Sequence, residues 1–476
     1  MQALSRHFSF VDKEFVKKFL AIALPIAMMS LINFGVKAVD TLMLGMIGEI
    51  QLSASALANQ LSFMFFIFST GIGSAFGVLA SQYWGAGNKQ RVREIFAFMY
   101  RMMACVNLMF AAIAFFAPHV VLGIMTTDQE VIYYGIIYLR IMGFGYLASG
   151  ITTSSSVLMR SVRVVKPFVI IYSVSLAVSA TLGFTLIFGH FGFPALGIRG
   201  AAISTITARF VEVTILCIYI LKFDKTLEFK LRHLFGRLWR IFIRTKDSNA
   251  PIEPPAPGPS LARHFMKHGA PVVLNEVMWA MAAFVLSVII GRMGREFVAA
   301  NAITGLLIQF NGVLIFSVSS ALAVIVGNTI GEGQYDRARQ ISTGMLFISV
   351  IIGILCALFI QIIRVPFVGI YELSDTARVY ALQLTNILSV NIIFMSTGLI
   401  SLMGSLRGGG DAKFVMIVDV IFMCLIAIPL GAFTGLVLGW PVWIVYIILR
   451  SEDFFKTIAV LWRVPGGKWL KDVTKG

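Results

Sequence analysis

The sequence has few charged residues. Only 13% of its 476 residues are Asp, Glu, Lys or Arg, whereas roughly 25% is typical of soluble domains. Hydrophobic residues make up 58% of the chain. This composition excludes an ordinary soluble domain and predicts an integral membrane protein.

The sequence also has few cysteines and lacks a nucleotide-binding motif. The four cysteines, Cys105, Cys217, Cys356 and Cys424, all fall within apolar runs, so neither a disulfide framework nor a metal-ligand cluster is expected. The chain lacks a G-x-x-x-x-G-K-[ST] loop, which argues against ATP hydrolysis within it. It also lacks a recognisable catalytic Ser/His/Asp, metal or cofactor motif. We therefore expect a protein that is not an enzyme and needs no cofactor.

Long apolar runs recur throughout the chain, and each is long enough to cross a bilayer as a helix of about 20 residues. Because the runs are continuous rather than alternating, they predict helices and not a β-barrel. We predict an all-α membrane protein with twelve transmembrane helices. The runs lie near residues 16–36, 53–80, 95–117, 132–157, 167–189, 197–221, 264–291, 297–326, 341–363, 379–405, 414–435 and 440–462.

Basic residues exceed acidic ones, and their positions alternate between the two sides of the predicted membrane. With the N-terminus taken as cytoplasmic, 26 lysines and arginines fall on the inside and 5 on the outside. This positive-inside pattern predicts a multi-pass protein of the cell membrane with both termini cytoplasmic. It also explains the formal net charge of +16 by contact with the lipid bilayer, so no nucleic-acid partner is expected.

The chain contains an internal repeat of about 246 residues. At that offset Pro25 aligns with Pro271, and "GAGNKQRVR" (85–93) aligns with "GEGQYDRAR" (331–339). Each half holds six predicted spans, so both halves enter the membrane from the same side. The repeat therefore predicts two parallel six-helix bundles around a central cleft, an architecture suited to alternating access. Without an ATP-binding loop, a secondary transporter driven by an ion gradient is the expected function.

A proline-rich segment separates the two halves. "TKDSNAPIEPPAPGPS" (245–260) resists both helix and strand formation and follows a basic stretch. The predicted organisation is an N-terminal six-helix lobe at 1–221, a cytoplasmic basic and Pro-rich linker at 222–262, and a C-terminal six-helix lobe at 263–476.

Ionisable residues inside a span are costly and are candidates for function. Lys37 and Asp40 lie three residues apart on one face of the first span, a spacing that allows an ion pair. Arg209 and Glu212 have the same spacing in the sixth span, and we expect them to neutralise each other. The candidates in the predicted spans are Lys37, Asp40, Arg140, Arg209, Glu212, Glu276 and Asp419.

Four motifs together resemble the multidrug and toxic compound extrusion family. They are "VDTLMLGMIGE" (39–49), "GAGNKQRVRE" (85–94), "NEVMW" (275–279) and "RGGGDAK" (407–413). The resemblance implies a cation-driven antiporter that exports organic, often cationic and amphipathic compounds in exchange for Na⁺ or H⁺. The more distant lipid-linked oligosaccharide flippases of the same superfamily imply an alternative function.

The resemblance also implies a coupling site in the N-terminal lobe. Asp40 resembles the family's first-span acid, which binds the coupling cation or proton, and Lys37 would tune it. A structural alternative stays open, in which the pair only fixes the end of the helix. Thr205 matches the sixth-span threonine of the pattern. Ser179 and Gly183 stand where many members have asparagines, so a sodium site here has fewer oxygen ligands.

For the C-terminal lobe the resemblance assigns the same role to Glu276. In the alternative interpretation Glu276 hydrogen-bonds Asn275 or a hydroxyl group as part of helix packing. Ser396 stands where some relatives carry a further aspartate. Asp419 is the remaining acid nearby, and its position is equally compatible with a coupling role and with a structural role as a salt bridge or helix cap.

Polar and adaptable side chains suggest the lining of a substrate cavity. Asn59 and Asn301 occupy corresponding second and eighth spans, where they either face a ligand or hydrogen-bond between helices. The 22 methionines and 40 phenylalanines suit a pocket for varied small organic substrates. We expect no metal beyond a coupling Na⁺, and a protein that functions as a monomer.

Overall fold

The computed structural model describes residues 13–126, 128–224, 226–229, 260–371 and 373–474. Within these residues the chain is helical and contains no strand. A short helix, Pro118–Gly123, accompanies twelve long ones. These are α1 (Lys13–Gly45), α2 (Glu49–Gly85), α3 (Lys89–Phe116), α4 (Gln129–Ser161), α5 (Lys166–Phe188), α6 (Ile198–Phe223), α7 (Leu261–Arg292), α8 (Arg295–Gly331), α9 (Tyr335–Gly369), α10 (Asp375–Leu406), α11 (Ala412–Val437) and α12 (Val442–Gly466). The predicted all-α fold is confirmed.

Eleven of these helices, α1 to α11, are long and apolar enough to cross a membrane. The exception is α12, whose centre carries charged side chains. With 25 residues it would still extend for about 38 Å, more than the roughly 30 Å of a hydrocarbon core. The unusual feature of α12 is therefore its charge and not its length.

The loops preserve the internal repeat at the level of the backbone. Gly87 and Gly333, which are 246 positions apart, both have a positive φ, of 74° and 78°. Arg163 and Gly410, which are 247 positions apart, have φ of 64° and 87°. Left-handed residues at matching positions mean that corresponding helices end in the same kind of turn, and a side chain at Arg163 is tolerated where the other half uses glycine.

The first compact unit comprises Met28–Trp84 and Asn88–Phe265. Its apolar core includes a cluster of aromatic rings from three helices. The ring of Phe65 on α2 lies 5.3 Å from that of Phe110 on α3 and 5.0 Å from that of Tyr146 on α4. These contacts, together with packing of α4 on α6 and of α6 on α5, fix the positions of the inward polar side chains described below.

The second compact unit comprises Met266–Gly476 with Met1–Ala27 and Gly85–Gly87. Here α10 packs against α8, α9 and α12, and the buried apolar core includes Phe297 and Tyr446. The predicted linker at 222–262 lies largely outside the described residues, which omit 230–259. Its boundaries, and those of the two lobes, stay a prediction.

The glycines of "RGGGDAK" make room for the C-terminal segment of the second unit. Gly409 lies directly against the buried indole of Trp469, where a Cβ would overlap the ring. Asp411 accepts hydrogen bonds from Arg463 at 2.7 Å and from Lys471 at 2.5 Å. The motif therefore anchors the segment that follows α12 to the turn between α10 and α11.

Candidate functional site

Asp40 lies on α1, where two hydroxyl groups from other helices face its carboxylate. Ser179 Oγ on α5 is 3.4 Å from Asp40 Oδ1, and Thr205 Oγ1 on α6 is 3.3 Å from Oδ2. Both hydroxyl residues are buried. The structure thus brings together the three side chains that the sequence analysis selected for the N-terminal site.

The two contacts to Asp40 are long. Hydrogen bonds between a hydroxyl group and an oxygen acceptor usually span about 2.5–3.0 Å. Thr205 Oγ1 also donates to the carbonyl of Ala201 at 3.0 Å, so its single proton is shared between two acceptors. Asp40, Ser179 and Thr205 together offer four side-chain oxygens to a cation. The carboxylate is therefore held by weaker hydrogen bonds than usual.

Lys37 and Asp40 do not form the ion pair that their spacing allows. Although the two residues share a helix face, the long side chain of Lys37 extends toward α2, and its Nζ lies 5.5 Å from the centre of the Phe66 ring. Cation–π attraction of this kind gives the ammonium an alternative to the carboxylate. The basic group that interacts electrostatically with Asp40 is instead Arg209 on α6.

The pairing predicted for Arg209 and Glu212 is confirmed. Arg209 Nη1 lies 2.7 Å from Glu212 Oε1, and Ser175 Oγ on α5 donates to the same oxygen at 2.5 Å. Glu212 is almost fully buried. Its carboxylate is therefore compensated locally, which distinguishes it from Asp40.

Glu276 on α7 forms a close ion pair with Arg407, which directly follows α10. Arg407 Nη1 lies 2.6 Å from Glu276 Oε1. A guanidinium at this distance already neutralises the carboxylate that a sodium ion would need. The structure therefore does not present Glu276 as an open cation ligand, in contrast to the expectation from its position in the motif.

Asn275 does not hydrogen-bond Glu276, because successive residues on a helix point in different directions. Its Nδ2 donates instead to Asp419 Oδ2 on α11 at 2.9 Å. The other oxygen of Asp419, Oδ1, lies 2.7 Å from Lys456 Nζ on α12. Of the two interpretations of Asp419, the structure supports a salt bridge, with a partner that the sequence analysis did not identify.

Ser396, on α10, belongs to the packing between helices. Its hydroxyl donates to the carbonyls of Ser349 on α9 and of Ile393, both at 3.0 Å. Gly353 leaves the space that this side chain occupies. Ser396 is thus committed to the contact between α9 and α10 and is not an accessory ligand of Glu276.

The two predicted cavity asparagines differ in their surroundings. Asn59 on α2 lies beside the hydroxyl of Tyr138 on α4, and Tyr138 interacts electrostatically with Asp40. Asn301 on α8 is half-buried, and its side chain has no hydrogen-bond partner in the part of the chain that the structure describes. Only Asn59 is placed near a candidate coupling residue.

Sequence reasoning missed the charged centre of α12. Lys456 Nζ lies 2.8 Å from Glu452 Oε2 as well as 2.7 Å from Asp419. The sequence did indicate these residues, because "SEDFFK" (451–456) falls inside the predicted span 440–462. Charged residues within a span are candidates for a functional role. Arg407 was also missed, since the sequence assigned it to a cytoplasmic loop.

Comparisons with known proteins agree with this architecture. The MatE family model matches residues 25–185 and 271–433, two segments that begin 246 positions apart at Pro25 and Pro271. The matches cover most of both halves of the chain. Two matches to one family model, one in each half, support the internal repeat.

Two curated relatives are similar over most of their length. The transporter YisQ of Bacillus subtilis, described as uncharacterised, is 22% identical over 441 residues, which is 91% of this chain and 90% of YisQ. A probable multidrug resistance protein NorM of Neisseria meningitidis serogroup A is 26% identical over 376 residues, covering 77% of this chain and 75% of NorM.

A solved structure shows the same fold. The Vibrio cholerae MATE transporter VcmN, in a point-mutant form, superposes with a TM-score of 0.82 at 13% sequence identity. The superposition covers 99% of this chain and 100% of VcmN. The likeness extends over all the long helices and not to one unit alone.

Proposed function

The chain belongs to the MatE, or multidrug and toxic compound extrusion, family of membrane transporters, and from this membership we propose that it is a secondary active exporter. Its cargo would be organic, cationic and amphipathic compounds, and its driving force the antiport of Na⁺ or H⁺ by alternating access. We propose its site of action as the cell membrane, with both termini cytoplasmic, on the basis of the positive-inside pattern.

The observation that carries the proposal is the environment of Asp40. Its carboxylate is contacted only by the hydroxyls of Ser179 and Thr205, at 3.4 and 3.3 Å, and forms no ion pair within the described residues. A carboxylate in such surroundings gains by taking up a proton or a metal cation. The four oxygens of these three side chains would contact that cation.

Antiport follows because the coupling cation and the organic cation compete for the single negative charge of Asp40. While Asp40 holds the coupling cation, the site is neutral and has little attraction for a cationic compound. When the cation leaves, the negative charge returns, and the interaction with an organic cation strengthens in the low-dielectric surroundings of the span. Binding of one cation therefore disfavours binding of the other, which is the requirement for antiport.

Glu276 is assigned a structural role in this proposal. Its pairing with Arg407 at 2.6 Å would have to break before a cation could bind, and breaking a buried ion pair costs several kcal/mol. The family resemblance implies two candidate coupling acids, Asp40 and Glu276. Their contacts favour Asp40 as the acid that binds the coupling cation.

The test is efflux of ethidium from liposomes that contain the purified protein. A sodium gradient and a proton gradient are imposed separately, so that the driving ion is identified in the same series. We expect Asp40→Asn to lose the gradient-dependent part of efflux. The matched control is Glu14→Gln, which removes an exposed carboxylate paired with Lys18 on the same helix and should transport like the wild type.

Equal gradient-dependent efflux by Asp40→Asn and wild type, per mole of folded protein, would overturn the assignment of Asp40. If neither gradient drives efflux in the wild type, the exporter function itself fails. Translocation of a lipid-linked oligosaccharide headgroup by the same liposomes would then identify the flippase alternative.

A further inference from the structure

Two acids of the first unit have their partners on the same pair of helices. Asp40 faces Ser179 on α5 and Thr205 on α6, at 3.4 and 3.3 Å. Glu212, which lies on α6, also accepts a hydrogen bond from one residue of each of these helices. We call the two places the Asp40 site and the Glu212 site.

The two sites are one helical turn apart on both helices. Ser175 Oγ on α5 and Arg209 Nη1 on α6 donate to the same oxygen of Glu212, at 2.5 and 2.7 Å. Ser175 lies four residues before Ser179, and Arg209 lies four residues after Thr205. Residues four apart share a helix face, with Cβ atoms about 5–6 Å apart. Arg209 therefore holds in the Glu212 site the place that Thr205 holds in the neighbouring one.

Glu212 uses only part of the Arg209 guanidinium. One atom, Nη1, donates to the carboxylate, although a guanidinium has five N–H donors and can bind two oxygens side by side. Arg209 makes no other hydrogen bond among the described residues. Its side chain is 24% exposed, whereas that of Glu212 is 1% exposed. The guanidinium thus has spare donors and room to turn while Nη1 stays on Glu212.

Two carboxylates attract this guanidinium. Arg209 interacts electrostatically with Asp40 as well as with Glu212, and within a span such an interaction is weakly screened. Phenols are neutral near pH 7, so the phenols nearby add no competing negative charge. The other charged or titratable side chains around these groups are Lys37 on α1, Tyr138 and Arg160 on α4, and Tyr172 on α5.

The attraction from Asp40 depends on what Asp40 holds. It is strongest when the carboxylate is ionised and has no bound cation, and it is lost when a proton or a metal ion neutralises the carboxylate. The attraction from Glu212 is constant by comparison, because Ser175 and Arg209 both bind its one oxygen and keep it ionised.

We propose that Arg209 is a positioning residue for the coupling site, which stays anchored on Glu212 and turns a free N–H group onto Asp40 when Asp40 has lost its cation. The guanidinium then stabilises the empty site, and it withdraws to Glu212 alone when a cation returns. Only hydrogen bonds change, and no covalent bond is formed or broken. The importance of this movement for antiport rests on the exporter function proposed above.

The proposal predicts opposite effects for two changes at one ion pair. Without Arg209, the ionised form of Asp40 loses its nearby positive charge, so Asp40 takes up a proton or cation more readily. With the charge of Glu212 removed, Arg209 turns to Asp40, which then takes up a cation less readily. A purely structural ion pair predicts effects in the same direction, because both changes break the same contact.

The first test measures proton uptake by Asp40 with a hydrophobic carbodiimide, which reacts with protonated carboxyl groups. The protein is labelled in detergent and choline chloride, at a pH where wild-type labelling is slow, and peptide mass spectrometry gives the rate at Asp40. We expect Arg209→Met/Glu212→Gln to be labelled about fivefold faster than wild type, and Glu212→Gln about fivefold more slowly. The matched control Arg295→Met/Glu296→Gln removes an ion pair whose arginine is exposed and should be labelled like the wild type.

The second test asks whether Asp40 becomes the partner of Arg209 when Glu212 is neutral. Unfolding in SDS is compared for wild type, Asp40→Asn, Glu212→Gln and the double variant. We expect Asp40→Asn to lower the SDS midpoint more in the Glu212→Gln background than in wild type, because Arg209 then loses both acids. A double variant that fails to fold, although both single variants fold, is the extreme form of this result. This test decides the matter if the carbodiimide does not reach Asp40.

Three results would overturn the inference. The first is an equal labelling rate of Asp40 in wild type and in Arg209→Met/Glu212→Gln. The second is a labelling rate that changes in the same direction in Glu212→Gln as in that double variant. The third is additive changes of the SDS midpoint for Asp40→Asn and Glu212→Gln. None of these measurements involves transport, so a failure here is distinguishable from a failure of the exporter function.

Discussion

The ion pair between Glu276 and Arg407 allows a quantitative test of the structure. Arg407 Nη1 lies 2.6 Å from Glu276 Oε1, and the exposed fractions of the two side chains are 7% for Arg407 and 22% for Glu276. The Nε and Nη2 atoms of Arg407 are buried without hydrogen-bond partners in the described part of the chain. Glu276 therefore supplies the charge that makes burial of this guanidinium tolerable.

Glu276→Gln removes that charge and leaves the guanidinium buried without an ionised partner. Breaking a buried ion pair from one side costs about 3–5 kcal/mol. Because Glu276 is about one fifth exposed, we expect a loss near the lower end, about 3 kcal/mol of unfolding free energy. Arg407→Met should cost less, about 1–2 kcal/mol, because the partly exposed carboxylate can recruit water or a proton.

The double variant Glu276→Gln/Arg407→Met removes both charges and should be more stable than Glu276→Gln alone. We expect the coupling energy of the double-mutant cycle to be at least about 2 kcal/mol. Unfolding in mixed micelles of increasing SDS content, followed by the fluorescence of the 7 tryptophans, measures all four proteins. Additive effects, within about 0.5 kcal/mol, would refute the pairing.

Three further predictions concern single positions. Gly409→Ala places a Cβ against the ring of Trp469 and should lower the unfolding free energy by about 1–3 kcal/mol. Its control is Gly291→Ala, inside α7, where a Cβ meets open space; this change should raise the unfolding free energy by about 0.5–1 kcal/mol. The same SDS titration measures both variants. Thr205→Val removes a hydroxyl from the Asp40 site and should shift the half-saturating concentration of the driving cation severalfold, whereas Thr205→Ser should not. Asp128→Ala removes the N-terminal cap of α4, where the carboxylate accepts from two backbone amides, and should cost about 1 kcal/mol; an unchanged SDS midpoint would contradict this.

The helices were predictable because their signal is local. A run of apolar residues between polar breaks identifies a span without knowledge of its neighbours. The predicted ends were less accurate, since burial against the rest of the protein can continue a helix beyond the apolar run through residues of low helix propensity, such as Gly327, Asn328 and Thr329. For example, α8 continues to Gly331, whereas the apolar run that predicted it ends near residue 326.

The candidate site was predictable only in part, because its contacts join distant segments. Asp40 and Thr205, 165 positions apart, were selected together from the family motifs. The pairing of Glu276 with Arg407, 131 positions apart, has no local signal. Lys37 shows the opposite limitation, since helical spacing predicts which face a residue occupies but not which of two neighbouring helices a flexible side chain reaches.

The described contacts show two ways in which this chain accommodates an acid within its spans. Glu212 and Glu276 are each compensated by an arginine at 2.7 and 2.6 Å. Asp40 accepts hydrogen bonds only from hydroxyl groups, at 3.4 and 3.3 Å, with Arg209 acting on it at longer range, and contacts of this length are worth less than the roughly 1.5–3 kcal/mol of a hydrogen bond to a charged group. A transported cation competes with the group that already holds the carboxylate. Each 1.4 kcal/mol needed to displace that group weakens binding of the cation about tenfold.

At about 3–5 kcal/mol for a broken ion pair, Glu276 would bind a coupling cation at least about a hundredfold more weakly than the same carboxylate without its arginine. The corresponding loss at Asp40 is smaller, because its two hydroxyl contacts are longer than ordinary hydrogen bonds and the hydroxyl oxygens would themselves contact the bound cation. Exchange during each transport cycle requires a ligand that leaves as readily as it enters, so the acid with the weakest internal partners is the one suited to coupling. The contacts of Asp40, and not its position in a motif, are therefore the stronger argument for its role.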